Sequence, residues 1–290
     1  MLTTYLEQHW NLCAVTITAH PGGMGSVTWI VEHGDHKWVA KQVARHAGTQ
    51  FAGGLELARR LEASGIPSGA PVAARDGRLA VDVGDGYLAL LSWVPGDPLT
   101  GRSTADLQLI GNTLAEVHRA LSACSINGAN RFHWVDLDAS YLSLRPWLRP
   151  AISAALDGLD AADTGSMPWG MLHADPAPDA FRLDPVTGRC GVIDWSYFLY
   201  GPLLYDLASA VMYVGGAADA GDLVEAYLRH GLMNAVEVRA GLGPMVRFRW
   251  AVQANYFAWR IAENELTGVS GPLGNEKCLE DARRALTADP

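Results

Sequence analysis

The amino-acid sequence predicts an α+β fold in two parts, a β-rich N-terminal part over residues 1–95 and a largely helical part over residues 96–290. The first part alternates short β-branched and aromatic runs with glycine turns, which is typical of antiparallel strands. The second part has segments whose apolar residues recur every three or four positions, which is typical of amphipathic helices. With 290 residues, 49% of them hydrophobic, the chain can bury a substantial core.

Composition restricts the class of function. The 22 basic and 31 acidic residues give a net charge of −9. This charge argues against a nucleic-acid partner, because phosphate binding needs a basic surface, and it is compatible with a cationic small substrate. No apolar run approaches the roughly 20 residues of a membrane helix, and no signal peptide pattern is evident. The four cysteines are widely separated, so we expect a cytoplasmic protein with reduced, mostly buried thiols and no membrane partner.

Two predicted strands, Val15–Thr18 and Val27–Val31, flank a turn that contains Gly23, Gly25 and Ser26. Glycine lets the backbone approach a ligand closely, so this turn is a candidate cover for nucleotide phosphates. The alternative is an ordinary hairpin turn.

Lys41 lies in a third predicted strand, directly after Val39-Ala40, much as in the kinase pattern V-A-x-K. The alternative is a solvent-facing lysine. A phosphate-binding lysine of this kind needs a glutamate on the following helix, predicted over residues 51–63. We prefer Glu56 to Glu62, since Glu62 lies near the end of that helix. Two adjacent glycines in the helix weaken it by roughly 1 kcal/mol each relative to alanine.

Further strands are predicted over residues 70–72, 79–81 and 87–91, and Pro95-Gly96 ends the β-rich part. Apolar periodicity then predicts helices over residues 104–123, 141–156, 206–213, 223–230 and about 244–265.

A loop containing His173 and Asp175 precedes a predicted hairpin, which turns at residues 184–188 and ends at Asp194. We expect the hairpin to bring Asp175 and Asp194 to the same end of one small sheet. Phosphoryl transfer uses two carboxylates in this way, one for the attacking hydroxyl and one for the metal ion. Each carboxylate taken alone would also fit a capped turn or a strand end.

The segment 173–195 resembles the aminoglycoside phosphotransferase and choline-kinase family of small-molecule kinases, whose pattern is H-G-D-x-x-x-x-N followed by I-D-W or I-D-F. Residues 201–208 similarly resemble the family segment G-D-P-x-Y-D-L-A. The resemblance implies a two-lobed protein-kinase-like fold. It also implies transfer of a phosphoryl group from ATP or GTP, with Mg²⁺, to a small-molecule hydroxyl.

By this resemblance Asp175 positions the substrate hydroxyl, His173 orients the loop and Asp194 holds Mg²⁺. One departure from the pattern is serious, because Ala180 occupies the place of the metal-binding Asn. The neighbouring Asp179 is a candidate replacement ligand, and a solvated turn residue is the alternative.

The resemblance implies that Lys41, held by Glu56, binds the α- and β-phosphates. It assigns Ser92 and Val94 to the nucleotide base, through main-chain atoms.

Other roles carried over from the family are structural or concern the substrate. We expect Asp206 to tie down the catalytic loop, and His118 to be a structural histidine bonded to nearby backbone. Tyr197 and Glu263 are candidate substrate contacts, Glu263 for a cationic one, whereas a core position is the alternative for Tyr197.

Three functions are compatible with these features. The first is an antibiotic kinase acting on an aminoglycoside or another natural product. The second is a metabolic kinase for a sugar, choline or homoserine. The third is a nucleotide-binding pseudokinase, which Ala180 favours and the retained Asp175, Asp194 and Lys41 oppose. The residues leave ATP or GTP as the donor open, and likewise the oligomeric state.

Overall fold

The computed structural model describes residues 2–20, 23–126, 129–132, 135–162 and 164–288. Pro21 and Gly22, which begin the predicted glycine turn, lie outside the described residues. None of the helices in the described ranges is both long enough and apolar enough to cross a membrane. Cys13 is exposed and the other three cysteines are half-buried, so the expectation of mostly buried thiols is wrong.

The strands are β1 (Thr16–His20), β2 (Ser26–His33), β3 (His36–Ala44), β4 (Pro71–Val72), β5 (Val81–Asp82), β6 (Gly86–Ser92), β7 (Asp97–Pro98), β8 (Asn130–Arg131), β9 (Trp169–Leu172), β10 (Phe181–Leu183), β11 (Cys190–Val192) and β12 (Leu199–Pro202). The helices are α1 (Leu2–Trp10), α2 (Gly48–Ala63), α3 (Thr104–Ala120), α4 (Leu148–Ala161), α5 (Leu204–Tyr213), α6 (Gly221–Leu228), α7 (Ala235–Ala262) and α8 (Pro272–Thr287). The predicted α+β class is confirmed.

The chain divides into two compact units. The first unit comprises Met1–Pro98, Ser125–Ala129 and Ala180–Phe198, and the second comprises Leu99–Cys124, Asn130–Asp179 and Leu199–Pro290. This division differs from a single boundary at residue 95. The hairpin of β10 and β11 belongs to the first unit because β10 pairs with β7, with Arg182 opposite Pro98.

The first unit contains an antiparallel sheet in the order β1-β2-β3-β6-β4, and β5 also pairs with β6. Lys41 in β3 lies opposite Thr28 in β2 and Ala89 in β6. Side chains alternate between the two faces of a strand, so Lys41 shares a face with Val43.

Apolar side chains cover both faces of this sheet. On one face Leu6 of α1 packs with Ala40 and Leu88. On the other face Phe51 of α2 packs with Val43. Lys41 therefore lies on the α2 face.

Two glycines allow α2 to pack closely on the segment that follows Asp194. A Cβ atom at Gly53 would lie 2.3 Å from the Phe198 ring, and one at Gly54 would lie 2.3 Å from the Trp195 carbonyl oxygen. Both glycines are buried inside the 16-residue helix. The two glycines that weaken the helix are thus explained by the close packing that they allow.

The Gly54→Ala substitution tests this packing. We expect it to lower the free energy of unfolding by about 2 kcal/mol, because overpacking a tight contact costs typically 1–3 kcal/mol. The matched control is Gly158→Ala in α4, where no atom lies within 4 Å of the added Cβ. That variant should gain about 0.5–1 kcal/mol from helix propensity. Urea unfolding measures both, and equal effects would contradict the interpretation.

Helices dominate the second unit, in which α7 contacts α4, α5 and α8. The helix predicted from about residue 244 begins earlier, at Ala235, so that prediction was wrong at its start. Asn234 and Glu237 form a capping box there, and Pro244 lies inside the helix. A capping box satisfies N–H groups that the first turn leaves unpaired, which explains why the helix begins before the proline.

Two short sheets carry the segments around the predicted carboxylates. In the second unit β12 pairs with β8 and β9, and β9 leads into the loop of Asp175. In the first unit the sheet is β11-β10-β7, and β11 leads to Asp194. The expectation that one small sheet carries both carboxylates was therefore wrong, because β9 pairs with β12 instead of with the hairpin.

Candidate active site

A buried carboxylate anchors the loop after β9. Asp206, in the first turn of α5, is fully buried. Its Oδ2 accepts a hydrogen bond from the His173 N–H at 2.7 Å, and its Oδ1 accepts one from the Ala174 N–H at 2.8 Å. The predicted role of Asp206 in tying down the loop is confirmed.

His118 completes this anchor. Its Nε2 lies 3.0 Å from Asp206 Oδ2 and its Nδ1 lies 2.8 Å from the Tyr227 hydroxyl. A carboxylate only accepts hydrogen bonds, so Nε2 carries the proton and Nδ1 accepts from the tyrosine. His118 is structural, as predicted, but its partners are these two side chains and not loop backbone. Burial, followed by the charge of Asp206, raises the pKa of Tyr227, so this tyrosine keeps the proton it donates.

The anchored loop contains a backbone conformation unusual for its residue. Ala174 has φ 72°, in the left-handed region, which costs an L-residue roughly 1–2 kcal/mol. The family pattern places glycine here. The N–H groups of His173 and Ala174, which both donate to Asp206, hold the strained residue in place. His173 Nδ1 accepts the Asp175 N–H at 3.3 Å. This contact fits the predicted orienting role of His173.

Asp175 lies in a cluster with two residues of the second unit. Its Oδ1 accepts a hydrogen bond from Arg249 Nη2 at 2.7 Å and a short one from the Tyr213 hydroxyl. Arg249 Nη2 also donates to the Tyr213 oxygen at 3.0 Å. The Asp175 side chain is 42% exposed and that of Arg249 only 8%. The carboxylate is therefore accessible, while its cationic partner is not.

Burial fixes the charge states in this cluster. It is the main cause of the raised pKa of Tyr213, to which the charge of Asp175 adds while Arg249 opposes it. Burial works to lower the pKa of Arg249, but Tyr213, Tyr205 and Asp175 raise it above the ordinary value. Tyr213 thus stays neutral and Arg249 stays charged.

The sequence did not predict that Tyr213 and Arg249 contact Asp175. One signal was available for Arg249, a charged residue between Phe248 and Trp250 in a helix that is apolar on most sides. A charge at such a position requires a partner. The partner itself was hidden, because it lies 74 residues away in the sequence.

In the first unit Lys41 contacts the segment that follows β11. Its Nζ donates to Asp194 Oδ1 at 2.6 Å and to the Ser196 hydroxyl at 2.7 Å. The Lys41 side chain is 10% exposed, whereas that of Asp194 is 47% exposed. Asp194 has φ 70°, again in the left-handed region. Such backbone conformations concentrate at functional sites.

The expected pairing of Lys41 with Glu56 is replaced by these contacts. Glu56 forms ion pairs with Arg59 and Arg60, one turn further along α2. The hydrogen bond from Arg59 is the main cause of the lowered pKa of Glu56. Local pairs on a helix order few additional groups, and here they occupy the Glu56 carboxylate with two arginines. The alternative, Glu62, accepts the Ser68 N–H at 2.9 Å.

The side of α2 that meets the post-Asp194 segment has no carboxylate to offer. Gly53 and Gly54 occupy it, and the Trp195 carbonyl lies where a side chain would begin. Ser196, from that same segment, supplies the second oxygen for Lys41.

Asp179 and Ala180 lie in the 3₁₀ turn Pro178–Ala180. Asp179 is exposed, and its role as a metal ligand stays a prediction. Ala180 is 8% exposed, and its carbonyl accepts the Ile193 N–H at 2.9 Å. Among the described residues no group of three or more His, Cys, Asp or Glu side chains could hold a metal ion. Mg²⁺ is often bound by one or two carboxylates plus nucleotide phosphates, which the half-exposed Asp194 carboxylate fits.

The described part of the glycine turn lies close to Tyr197. Gly23 has φ 95°, which favours glycine. A Cβ at Gly25 would lie 2.8 Å from the Tyr197 hydroxyl oxygen. Ser26 begins β2. Tyr197 is 42% exposed, so this candidate substrate contact is not a core residue and lies against the turn predicted to cover phosphates.

The residues assigned to the nucleotide base differ in their backbone bonding. The Ser92 N–H donates to the Ala70 carbonyl at 2.8 Å. Within the described ranges, the Val94 backbone forms no hydrogen bond with another backbone group, and the residue is buried. The roles of both residues stay predictions.

Glu263 is the C-cap of α7 and is exposed. It follows Arg249 by fourteen residues, which corresponds to about 21 Å along a helix. Only an extended substrate could contact both Glu263 and the Asp175–Arg249 pair.

A model of the phosphotransferase enzyme family (APH) matches residues 16–242. This is most of the chain, so the protein belongs to the APH phosphotransferase family. The resemblance inferred from the sequence motifs is confirmed.

Its relatives include homoserine kinases. That of Methylobacillus flagellatus is 26% identical over 241 residues, which cover 82% of this chain and 72% of that protein. That of Rhizobium johnstonii is 32% identical over 164 residues. The chain spans about half the length of this and other homoserine kinases, at 50% of each.

Solved structures confirm the kinase-like fold. A microcompartment-associated aminopropanol kinase has a TM-score of 0.73 at 19% identity, covering 98% of this chain and 94% of its own. An amicoumacin kinase in complex with AMP-PNP and Ca²⁺ has a TM-score of 0.69 at 15% identity, covering 95% and 89%. At these identities the likeness concerns the fold.

The Asp206→Asn substitution tests the loop anchor. We expect the free energy of unfolding to fall by about 3 kcal/mol, because the amide NH₂ group cannot accept one of the two buried backbone N–H bonds. The control is Asp157→Asn, an exposed residue of α4, which should change the value by less than about 0.5 kcal/mol. Denaturant unfolding measures both, and a neutral Asp206→Asn variant would refute the anchor.

Proposed function

We propose that this protein is a small-molecule kinase that transfers the γ-phosphoryl group of ATP or GTP to a hydroxyl group. The observation that carries the proposal is the accessible Asp175 carboxylate, presented by a loop that the buried Asp206 fixes. Membership of the APH phosphotransferase family supports it.

In the second unit the Asp175 carboxylate would accept the proton of the acceptor hydroxyl. The acceptor oxygen forms a bond to the γ-phosphorus, the bond from that phosphorus to the β–γ bridging oxygen breaks, and the nucleoside diphosphate leaves. Asp175 Oδ1 is occupied by Arg249 and Tyr213, so Oδ2 is the proposed proton acceptor. Fixing the carboxylate in advance serves the reaction, since positioning supplies much of the catalysis in phosphoryl transfer.

In the first unit Lys41 would bind the phosphates, and the glycine turn would approach them through its backbone. Asp194 would hold Mg²⁺, and the ion would offset the negative charge of the phosphates. Because Lys41 and Asp194 already touch, Lys41 would have to share or exchange this contact when nucleotide and metal bind. Main-chain atoms of Ser92 and Val94 remain the proposed contacts of the base.

For the acceptor we propose a small metabolite of the homoserine or amino-alcohol type. The relatives with matching sequence include homoserine kinases. The antibiotic kinases among the similar structures share the fold at low identity, so they support an antibiotic acceptor and a role in resistance less directly. A pseudokinase is the remaining candidate, favoured by Ala180 and by the Arg-paired Glu56.

Product mass spectrometry tests the activity. The protein is incubated with Mg-ATP or Mg-GTP and a panel of amino alcohols, hydroxy amino acids, sugars, choline and aminoglycosides. A phosphorylated compound establishes the kinase and identifies the acceptor. Nucleotide binding without any product would support the pseudokinase instead.

The Asp175→Ala variant should lose turnover by about 10³-fold or more while its nucleotide affinity stays within about twofold, because it removes the proton acceptor and positioning group. The matched control is Asp179→Ala, on the same loop, which should retain turnover at saturating Mg²⁺. If Asp179 is a metal ligand, that control will need more Mg²⁺ for half-maximal rate. Normal turnover by Asp175→Ala would refute the assignment.

The Ser196→Ala variant tests which residue positions Lys41. We expect the KM for nucleotide to rise about 3- to 10-fold, since Lys41 loses one of its two hydrogen-bond partners. Glu56→Gln should leave this KM within about twofold. Steady-state kinetics with the acceptor at saturation measures both. If Glu56→Gln raised the KM for nucleotide and Ser196→Ala did not, Glu56 would be the partner of Lys41 instead.

A further inference from the structure

Arg249 is a buried cation with unused hydrogen-bond donors. Guanidinium has five N–H donors, and Nη2 uses its two on Asp175 and Tyr213. Nε is buried without a hydrogen-bond partner. In the part of the chain that the structure describes, Nη1 also forms no hydrogen bond. Buried polar groups are nearly always paired, and an unpaired one calls for a specific explanation.

A ligand can supply a partner for Nη1, whereas Nε is enclosed by the protein. The Arg249 side chain is 8% exposed and touches the same Asp175 oxygen that lies beside the proposed proton acceptor. An acceptor that brings its hydroxyl to Asp175 therefore comes within reach of the guanidinium. The group that best complements a desolvated guanidinium is an anionic oxygen pair, such as a carboxylate.

The charges of the cluster favour an acceptor with a carboxylate over a polycation. Arg249 offsets the charge of Asp175, and Tyr213 and Tyr205 stay neutral because burial raises their pKa values. The cluster therefore lacks the surplus of negative charge that a polycationic acceptor would need. An acceptor carboxylate would instead accept hydrogen bonds from the donor group that Arg249 leaves unused.

We propose that Arg249 binds a carboxylate of the acceptor while Asp175 receives the proton of its hydroxyl, so that the substrate is a small hydroxy acid such as a hydroxy amino acid. Hydrogen-bond distances place the two acceptor groups within about 10 Å of each other. This inference rests on the proposed kinase function and specifies the acceptor class of the same site.

A transferring phosphoryl group is the rival source of anionic oxygens. The proposed phosphate and metal ligands Lys41 and Asp194 belong to the first unit, whereas Arg249 shares the second unit with Asp175, the residue for the acceptor. This assignment favours the acceptor carboxylate. The two sources predict different responses to removal of the carboxylate from the acceptor.

Matched acceptor pairs provide the test, since each pair differs only in the carboxylate. The pairs are L-homoserine with 3-aminopropan-1-ol, L-threonine with 1-aminopropan-2-ol, and L-serine with 2-aminoethanol. We expect the wild-type kcat/KM to be at least tenfold higher for the carboxylated member of the best pair. In Arg249→Gln this preference should fall by about 10- to 100-fold, the loss associated with a charge-assisted hydrogen bond.

Two variants control for charge and folding. Arg239→Gln removes an exposed arginine from the same helix and should leave the preference unchanged. Arg249→Lys keeps the charge without the planar fork and should retain part of the preference. The preference is a ratio of two kcat/KM values measured on one preparation. Partial unfolding of a variant lowers both values by the same factor, so the ratio is unaffected.

Several outcomes would overturn the inference. A wild-type preference near one, or a better acceptor without a carboxylate, contradicts it while leaving the kinase function intact. If Arg249→Gln lowers kcat/KM equally for both members of the pair, the arginine contacts the phosphoryl group or has a structural role instead. If no acceptor is phosphorylated, the proposed kinase function is wrong. Calorimetry then measures whether the protein binds the carboxylated and the uncarboxylated member of each pair, which tests the Arg249 site separately. Selective binding of the carboxylated members would still support the Arg249 site, and equal or absent binding would exclude it.

Discussion

The candidate site depends on the buried carboxylate of Asp206. Three hydrogen-bond donors, two of them backbone N–H groups of the loop, converge on a side chain with no access to water. An unpaired carboxylate would be very costly there, so the loop is held where it satisfies that charge. The left-handed Ala174 and the presentation of Asp175 are consequences of this constraint.

Asp175 and Lys41, the two groups central to the proposed chemistry, each already have a partner of opposite charge. Asp175 contacts Arg249 in the second unit, and Lys41 contacts Asp194 in the first. In both pairs the carboxylate is about half exposed while the cation is buried. The carboxylates can thus reach a ligand, whereas the cations stay fixed by packing, which fits a site organised before substrates arrive.

The sequence was a good guide wherever the signal was local. Strand alternation and helical periodicity predicted the α+β class, and the resemblance of segments 173–195 and 201–208 to known motifs indicated the family. Boundaries were less accurate where a cap outweighed a proline, as at Asn234 in α7. The choice of Glu56 was reasonable from its position on the helix, but two neighbouring arginines one turn away compete for it.

The sequence by itself determined the order of the motifs and the class of fold, and it predicted the carboxylates that the proposed reaction uses. Tertiary structure alone decided the partners of those groups. Arg249 and Asp175 are 74 residues apart, Lys41 and Asp194 are 153 apart, and His118 and Asp206 are 88 apart. Local patterns report the backbone conformation of neighbouring residues, whereas these contacts arise only when helices and strands distant in sequence pack together.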